Sequence, residues 1–99
     1  MTQLEEIKIQ LALRKPILEE KFRVETIGIF GSFCRGQQKK RSDLDLLVTF
    51  YQPNDIDLLD FIELKQFLTR KLKLRVDLVE KGSLKSRIKD KILQETIYV

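Results

Sequence analysis

Residues 27–49 read Ile27-Gly-Ile-Phe-Gly-Ser-Phe-Cys-Arg-Gly-Gln-Gln-Lys-Lys-Arg-Ser-Asp-Leu-Asp-Leu-Leu-Val-Thr49. An apolar run ends in Gly31-Ser32, a short basic segment follows, and Ser42-Asp43-Leu44-Asp45 opens a second apolar run. The pattern predicts a strand, a tight turn into a short helix, a loop and a second strand. On a strand, side chains at i and i+2 share a face, so Asp43 and Asp45 stand about 6.5–7 Å apart at Cα and converge on shared cations. At the strand-to-helix turn, free backbone N–H groups and the positive end of a helix dipole favour a phosphate at Gly31-Ser32. A phosphate cradle beside paired carboxylates is what a metal-dependent nucleotide site requires.

Outward from this stretch, Thr2 and Glu5 have the form of a capping box, and Leu4, Ile7 and Leu11 follow at helical spacing. A helix is expected over 3–14. Pro16 suits the first turn of a second helix, which runs to Phe22. Val24–Phe30 is the first predicted strand and Asp43–Phe50 the second, with Leu44, Leu46, Val48 and Phe50 on the face opposite the aspartates. A long helix is expected over 56–74, with Asp55, Asp57 and Asp60 at its start and Arg70, Lys71 and Lys73 at its end, in the order a helix dipole favours. Arg75–Val79 is the third strand. Gly82 interrupts the chain, Ser83 is the expected N-cap, and Leu84, Ile88 and Ile92 mark a last helix. Ile97-Tyr98-Val99 reads either as a short strand or as a frayed end.

The bulk numbers bound the class. Ninety-nine residues suffice for one modest core, so residues 1–99 are read as a single domain. There is no histidine and one cysteine, Cys34, which excludes Ser-His-Asp and Cys-His catalysis, Cys-rich zinc sites and an internal disulfide. Carboxylates remain as metal ligands, and their oxygens suit Mg²⁺ or Mn²⁺. The net charge of +4 fits a polyanionic partner and fits a solvated basic surface as well. No apolar run reaches the length of a membrane span, and the expected location is the cytoplasm.

Each motif has a plainer reading beside it. Ser42 with Asp45 three residues on could cap a helix, but the β-branched and aromatic run before Pro53 is too short for one. Asp55-Ile56-Asp57 repeats the D-x-D spacing just ahead of a helical pattern, and helix capping accounts for it, so it receives no catalytic role. Asp77 inside a short apolar strand either faces solvent, paired with Arg75, or joins the Asp43 and Asp45 cluster. Three carboxylates would hold two cations roughly 3.5–4 Å apart, the arrangement of in-line phosphoryl transfer. Lys39-Lys40-Arg41 reads as a solvated loop that flanks the phosphate site, and Cys34 as a small buried residue rather than a nucleophile.

Taken in order, Gly31-Ser-x-x-Arg35-Gly36, Ser42-Asp43-x-Asp45 and Val76-Asp77-Leu78-Val79 resemble the polymerase-β-like nucleotidyltransferases, and more narrowly the minimal nucleotidyltransferase (MNT) proteins. The resemblance covers nearly the whole chain. It implies an α/β (α+β) palm, a small mixed β-sheet with helices packed on one side. It implies nucleotide binding at Gly31 and Ser32, completed by Arg35 and Ser42, and binding of two Mg²⁺ ions by Asp43, Asp45 and Asp77. It further implies attack on the α-phosphorus of ATP with pyrophosphate leaving, and an antitoxin that transfers AMP to a tyrosine of a partner HEPN toxin. Two departures stand out: the basic 37–41 linker, and Cys34 where a small residue is usual. Alternatives kept beside this reading are an antitoxin that neutralises by binding alone, and a nucleotidyltransferase acting on RNA, which is not favoured, or on a small molecule.

Overall fold

A computed structural model describes residues 1–99. Two helices, α1 (Gln3–Leu13) and α2 (Lys15–Phe22), precede the strands β1 (Val24–Phe30) and β2 (Leu44–Phe50). Then come α3 (Leu58–Leu72), β3 (Val76–Glu80), a 3₁₀ turn (Lys81–Ser83), α4 (Ser86–Glu95) and the short β4 (Ile97–Tyr98). The sheet order is β3-β2-β1-β4. β2 pairs with β1 antiparallel and with β3 parallel, and β4 pairs antiparallel with β1, so the sheet is mixed. The terminal stretch is therefore a strand, its end tied down by Val99 N–H donating to Ile27 O at 3.0 Å.

Alternation along the strands sorts their two faces. Ile27, Ile29, Leu44, Leu46, Val48, Phe50, Val76 and Leu78 share one core with Ile7 and Leu11 of α1, Leu18 and Phe22 of α2, and Leu64, Phe67 and Leu68 of α3. Burial of each such side chain contributes roughly 1.5–3 kcal/mol before chain entropy is counted. The opposite face carries Phe30, Asp45, Leu47 and Thr49. Leu47 is nonetheless only 1% exposed. α4 has no buried residue, yet its C-terminal end comes close over this face: a Cβ on Gly28, which pairs with Leu47, would meet the Thr96 methyl at 2.5 Å.

The caps explain where the helices start. Thr2 accepts the Glu5 N–H at 3.1 Å. α3 opens later than expected, at Leu58, because Asp57 is its N-cap and forms a reciprocal capping box with Asp60. Ser83 does not cap α4: its hydroxyl donates to Glu80 O at 2.8 Å and closes the 3₁₀ turn, and α4 begins at Ser86. The predicted short helix after Gly31 is also absent. Residues 32–36 wind through a single turn, with Cys34 and Arg35 N–H both donating to Gly31 O, and Gly36 leaves it at φ +69°.

Candidate active site

Parallel pairing of β2 and β3 sets the site. Asp45 lies in register with Asp77 on the adjoining strand, on the face away from the main core. Neighbouring strands are about 4.8 Å apart, so two carboxylates are forced side by side. Burial first, then the negative charge of Asp77, a hydrogen bond with Asp77 and the charge of Asp43, push the Asp45 carboxyl up to about 6, against a smaller opposing pull from Arg35. Phe30, at the end of β1, pairs with Asp45 from the other side.

Gly31 follows Phe30 and turns the chain at φ +77°. Only glycine fits here for a second reason: a Cβ would collide with Asp45 Oδ2. The turn and the carboxylate are thus in contact through the missing side chain. The Gly31 N–H is not free for a phosphate, as the sequence reading expected, because it donates to Glu95 Oε1 at 3.1 Å. The N–H groups of Ser32 and Phe33 have no protein acceptor. With the Ser32 hydroxyl they give the turn an edge of unpaired donors, set by loop geometry rather than by a helix.

Arg35 is clamped by Glu95, with Nη1 at 3.1 and 2.9 Å from the two carboxylate oxygens, while its Nε donates to Gln37. Cys34 is half-buried and donates its thiol to Glu95 O at 2.8 Å. Burial and the Glu95 charge push that thiol up, consistent with the reading that it is no nucleophile. Ser42 Oγ accepts the Lys39 N–H at 2.8 Å, which closes the basic loop and leaves the hydroxyl proton free to donate.

Asp43 stands one residue before β2 and is drawn aside. Arg75 Nε lies 3.0 Å from Asp43 Oδ1 and a second guanidinium nitrogen donates to Arg41 O. Of the two readings of Asp77, the one that pairs it with Arg75 gives way to this cross-strand contact. As a result, no three acidic side chains close around one point. Arg75 is 74% and Asp43 49% exposed, and exposed ion pairs hold weakly, typically under about 1 kcal/mol, so this contact does not bar Asp43 from a cation. The donor set suits a hard dication: all-oxygen ligands, no histidine, and an adjacent pair of like charges that only a proton or a cation relieves. Around Ser42, the Lys40, Arg41, Lys73 and Arg75 side chains border a concavity of about 430 Å³.

A family model for the nucleotidyltransferase domain matches residues 13–99. The chain belongs to the nucleotidyltransferase family. It is 50% identical to the protein adenylyltransferase MntA of Thermococcus cleftensis, over all of this chain and 98% of that protein. A Methanocaldococcus jannaschii protein, named as a candidate protein adenylyltransferase, is 45% identical over the whole of both chains. Among solved structures, one described as a candidate minimal nucleotidyltransferase superposes with a TM-score of 0.72 at 34% identity, covering 92% of this chain and 93% of its own. A toxin–antitoxin structure with AMP-PNP gives a TM-score of 0.67 at 25% identity, covering 96% of this chain and 70% of that one. The fold read from the motifs, a mixed sheet with packed helices, is that of this nucleotidyltransferase and of its minimal relatives.

Two residues of the site were invisible to spacing. Arg75 pairs with Asp43, a partner that cross-strand register decides and spacing does not show. Glu95 went unnoticed, although one signal was present: a carboxylate at the end of a helix opposes the helix dipole and needs a partner elsewhere.

Proposed function

We propose that this nucleotidyltransferase is a Mg²⁺-dependent protein adenylyltransferase, the antitoxin of a toxin–antitoxin pair, which transfers AMP from ATP to a tyrosine of a HEPN-type toxin and releases pyrophosphate. The observation that carries the reading is the in-register Asp45–Asp77 pair in contact with the Gly31 turn. Support for a protein acceptor comes from the relatives named protein adenylyltransferases. Support for a toxin partner comes from the toxin–antitoxin structure of the same fold.

In this reading Asp43, Asp45 and Asp77 hold the two ions, Mg²⁺ or Mn²⁺. Bound there, divalent ions neutralise phosphate charge and lower the pKa of the attacking hydroxyl. Ser32, through its N–H and hydroxyl, and Arg35 receive the triphosphate, and Gly31 keeps the turn close enough to Asp45 for phosphate and carboxylates to share a centre. The tyrosine oxygen attacks the α-phosphorus, the bond to pyrophosphate breaks, and Asp77 helps accept the phenolic proton. Residues 1–99 act as one domain, in the cytoplasm, where ATP is at hand; no helix is long and apolar enough to cross a membrane.

The test is label transfer from α-labelled ATP, with Mg²⁺, to whatever protein is encoded beside the gene. Transfer that Asp77→Asn abolishes supports the reading, and a stable complex without transfer overturns it. A second reading, neutralisation by occlusion, draws on Leu58 and Leu59, adjacent on α3 and 72% and 75% exposed. It predicts that Asp43→Asn leaves neutralisation intact, whereas the adenylyltransferase reading predicts its loss with complex formation preserved.

A further inference from the structure

Glu95 ends α4, where its charge opposes the helix dipole. Its contacts explain the placement. The carboxylate takes the Gly31 N–H and both ends of a charge-assisted clamp on Arg35, and its carbonyl takes the Cys34 thiol. Three residues of one turn are thereby fastened to a single residue 60 or more positions along the chain. Arg35 has its Nε on Gln37 and Nη1 on Glu95, which leaves the Nη2 edge with no protein acceptor.

We propose that Glu95 is a positioning residue for nucleotide binding: it holds the Gly31 turn in place and aims the free edge of Arg35 at the phosphates of the incoming triphosphate. The inference rests on the reading of Ser32 and Arg35 as the phosphate-binding pair. A long arginine that is already fixed loses less rotamer freedom when it binds, and a guanidinium has donors enough to serve a carboxylate and a phosphate at once. Glu95 could instead be imagined as an occupant that phosphate displaces. Its anchorage argues against that. The Glu95 side chain is only 19% exposed. The next residue, Thr96, bonds back to Ile92 O at 2.6 Å, and Ile97 pairs with Ile29 of β1, so the chain that carries Glu95 is anchored directly after it.

The experiment is a double-mutant cycle on the full chain. Affinity for AMP-PNP with Mg²⁺, and for adenosine as the phosphate-free control, is measured for the parent, Glu95→Gln, Arg35→Ala and the double variant, with thermal midpoints alongside. Glu95→Gln should weaken AMP-PNP roughly tenfold, leave adenosine within about twofold, and add almost nothing once Arg35 is gone. Glu95→Asp, which keeps the charge on a shorter arm, should fall between. If Arg35→Ala weakens AMP-PNP but Glu95→Gln does not, the positioning role fails while the phosphate reading stands. If Arg35→Ala itself has no effect, it is the phosphate reading that fails. Tighter AMP-PNP binding by Glu95→Gln would make Glu95 a competitor of phosphate and overturn the proposal, as would equal losses for adenosine and AMP-PNP.

Discussion

Asp43-Leu-Asp45 and Asp55-Ile-Asp57 are two copies of one three-residue pattern, twelve positions apart, and the fold puts them to opposite uses. Asp57 accepts the Asp60 N–H at 2.9 Å and receives Asp60's side chain on its own N–H at 3.2 Å, so its charge is spent on the first turn of α3. Asp45 is set on a strand beside Asp77, where its charge is costly to the folded chain and waits for a counter-charge. Asp57 caps a helix, Asp45 belongs to the proposed reaction centre, and what separates them is the backbone beneath. Asp45 meets a second acid because the neighbouring strand supplies Asp77 in register.

Substitutions sharpen the contrast in descending order of effect. Asp45→Asn should cut label transfer by about two to three orders of magnitude, while Asp57→Asn leaves it within about twofold; equal losses would erase the distinction. Next, Gly31→Ala should also abolish most transfer, because its methyl has no room beside Asp45 Oδ2 and the φ of +77° adds roughly 1–2 kcal/mol of strain, read as a lowered thermal midpoint. Asp57→Ala should reverse that profile, costing about 1 kcal/mol of stability by denaturant titration with transfer intact.

The smallest effect is in pH. The Asp45 carboxyl is raised from 3.8 to about 6 in the folded protein, so the folded state holds its proton more tightly than the unfolded chain does. Acid therefore favours folding through this group, and the penalty grows as pH climbs from about 4 to 6 and is constant above. In metal-free buffer with chelator, Asp45→Asn should be more stable than the parent by about 1 kcal/mol or less above that window, since the site is partly open to solvent. The advantage should vanish near pH 3.5, roughly the lower end of the same window. Asp57→Asn should show no such gain at any pH.

Much of this was legible beforehand, for physical reasons. The core residues of β2 repeat at a strand's period, and the Gly-Ser turn between two apolar runs has few alternatives. Spacing placed Asp45 on the outer side of a strand, but Asp43, expected beside it on the same strand, stands one residue before β2 and pairs with Arg75. What could not be read depends on register and on distant partners: Asp77 meets Asp45 only because β2 and β3 run parallel with no offset, and Glu95 reaches Gly31 across 64 positions. The short helix expected after Ser32 fails because Gly36 leaves in the left-handed region after one turn. What the loop offers instead is the unpaired N–H groups of Ser32 and Phe33.

β3 is the outermost strand on its side of the sheet, so Asp77 stands at a margin that no other strand of the chain covers. An acceptor approaches such a margin sideways. Its hydroxyl need not fit a pocket, only arrive and stay. In the proposed reaction, selectivity would come less from the shape of the reacting group than from how long the two proteins keep it in place.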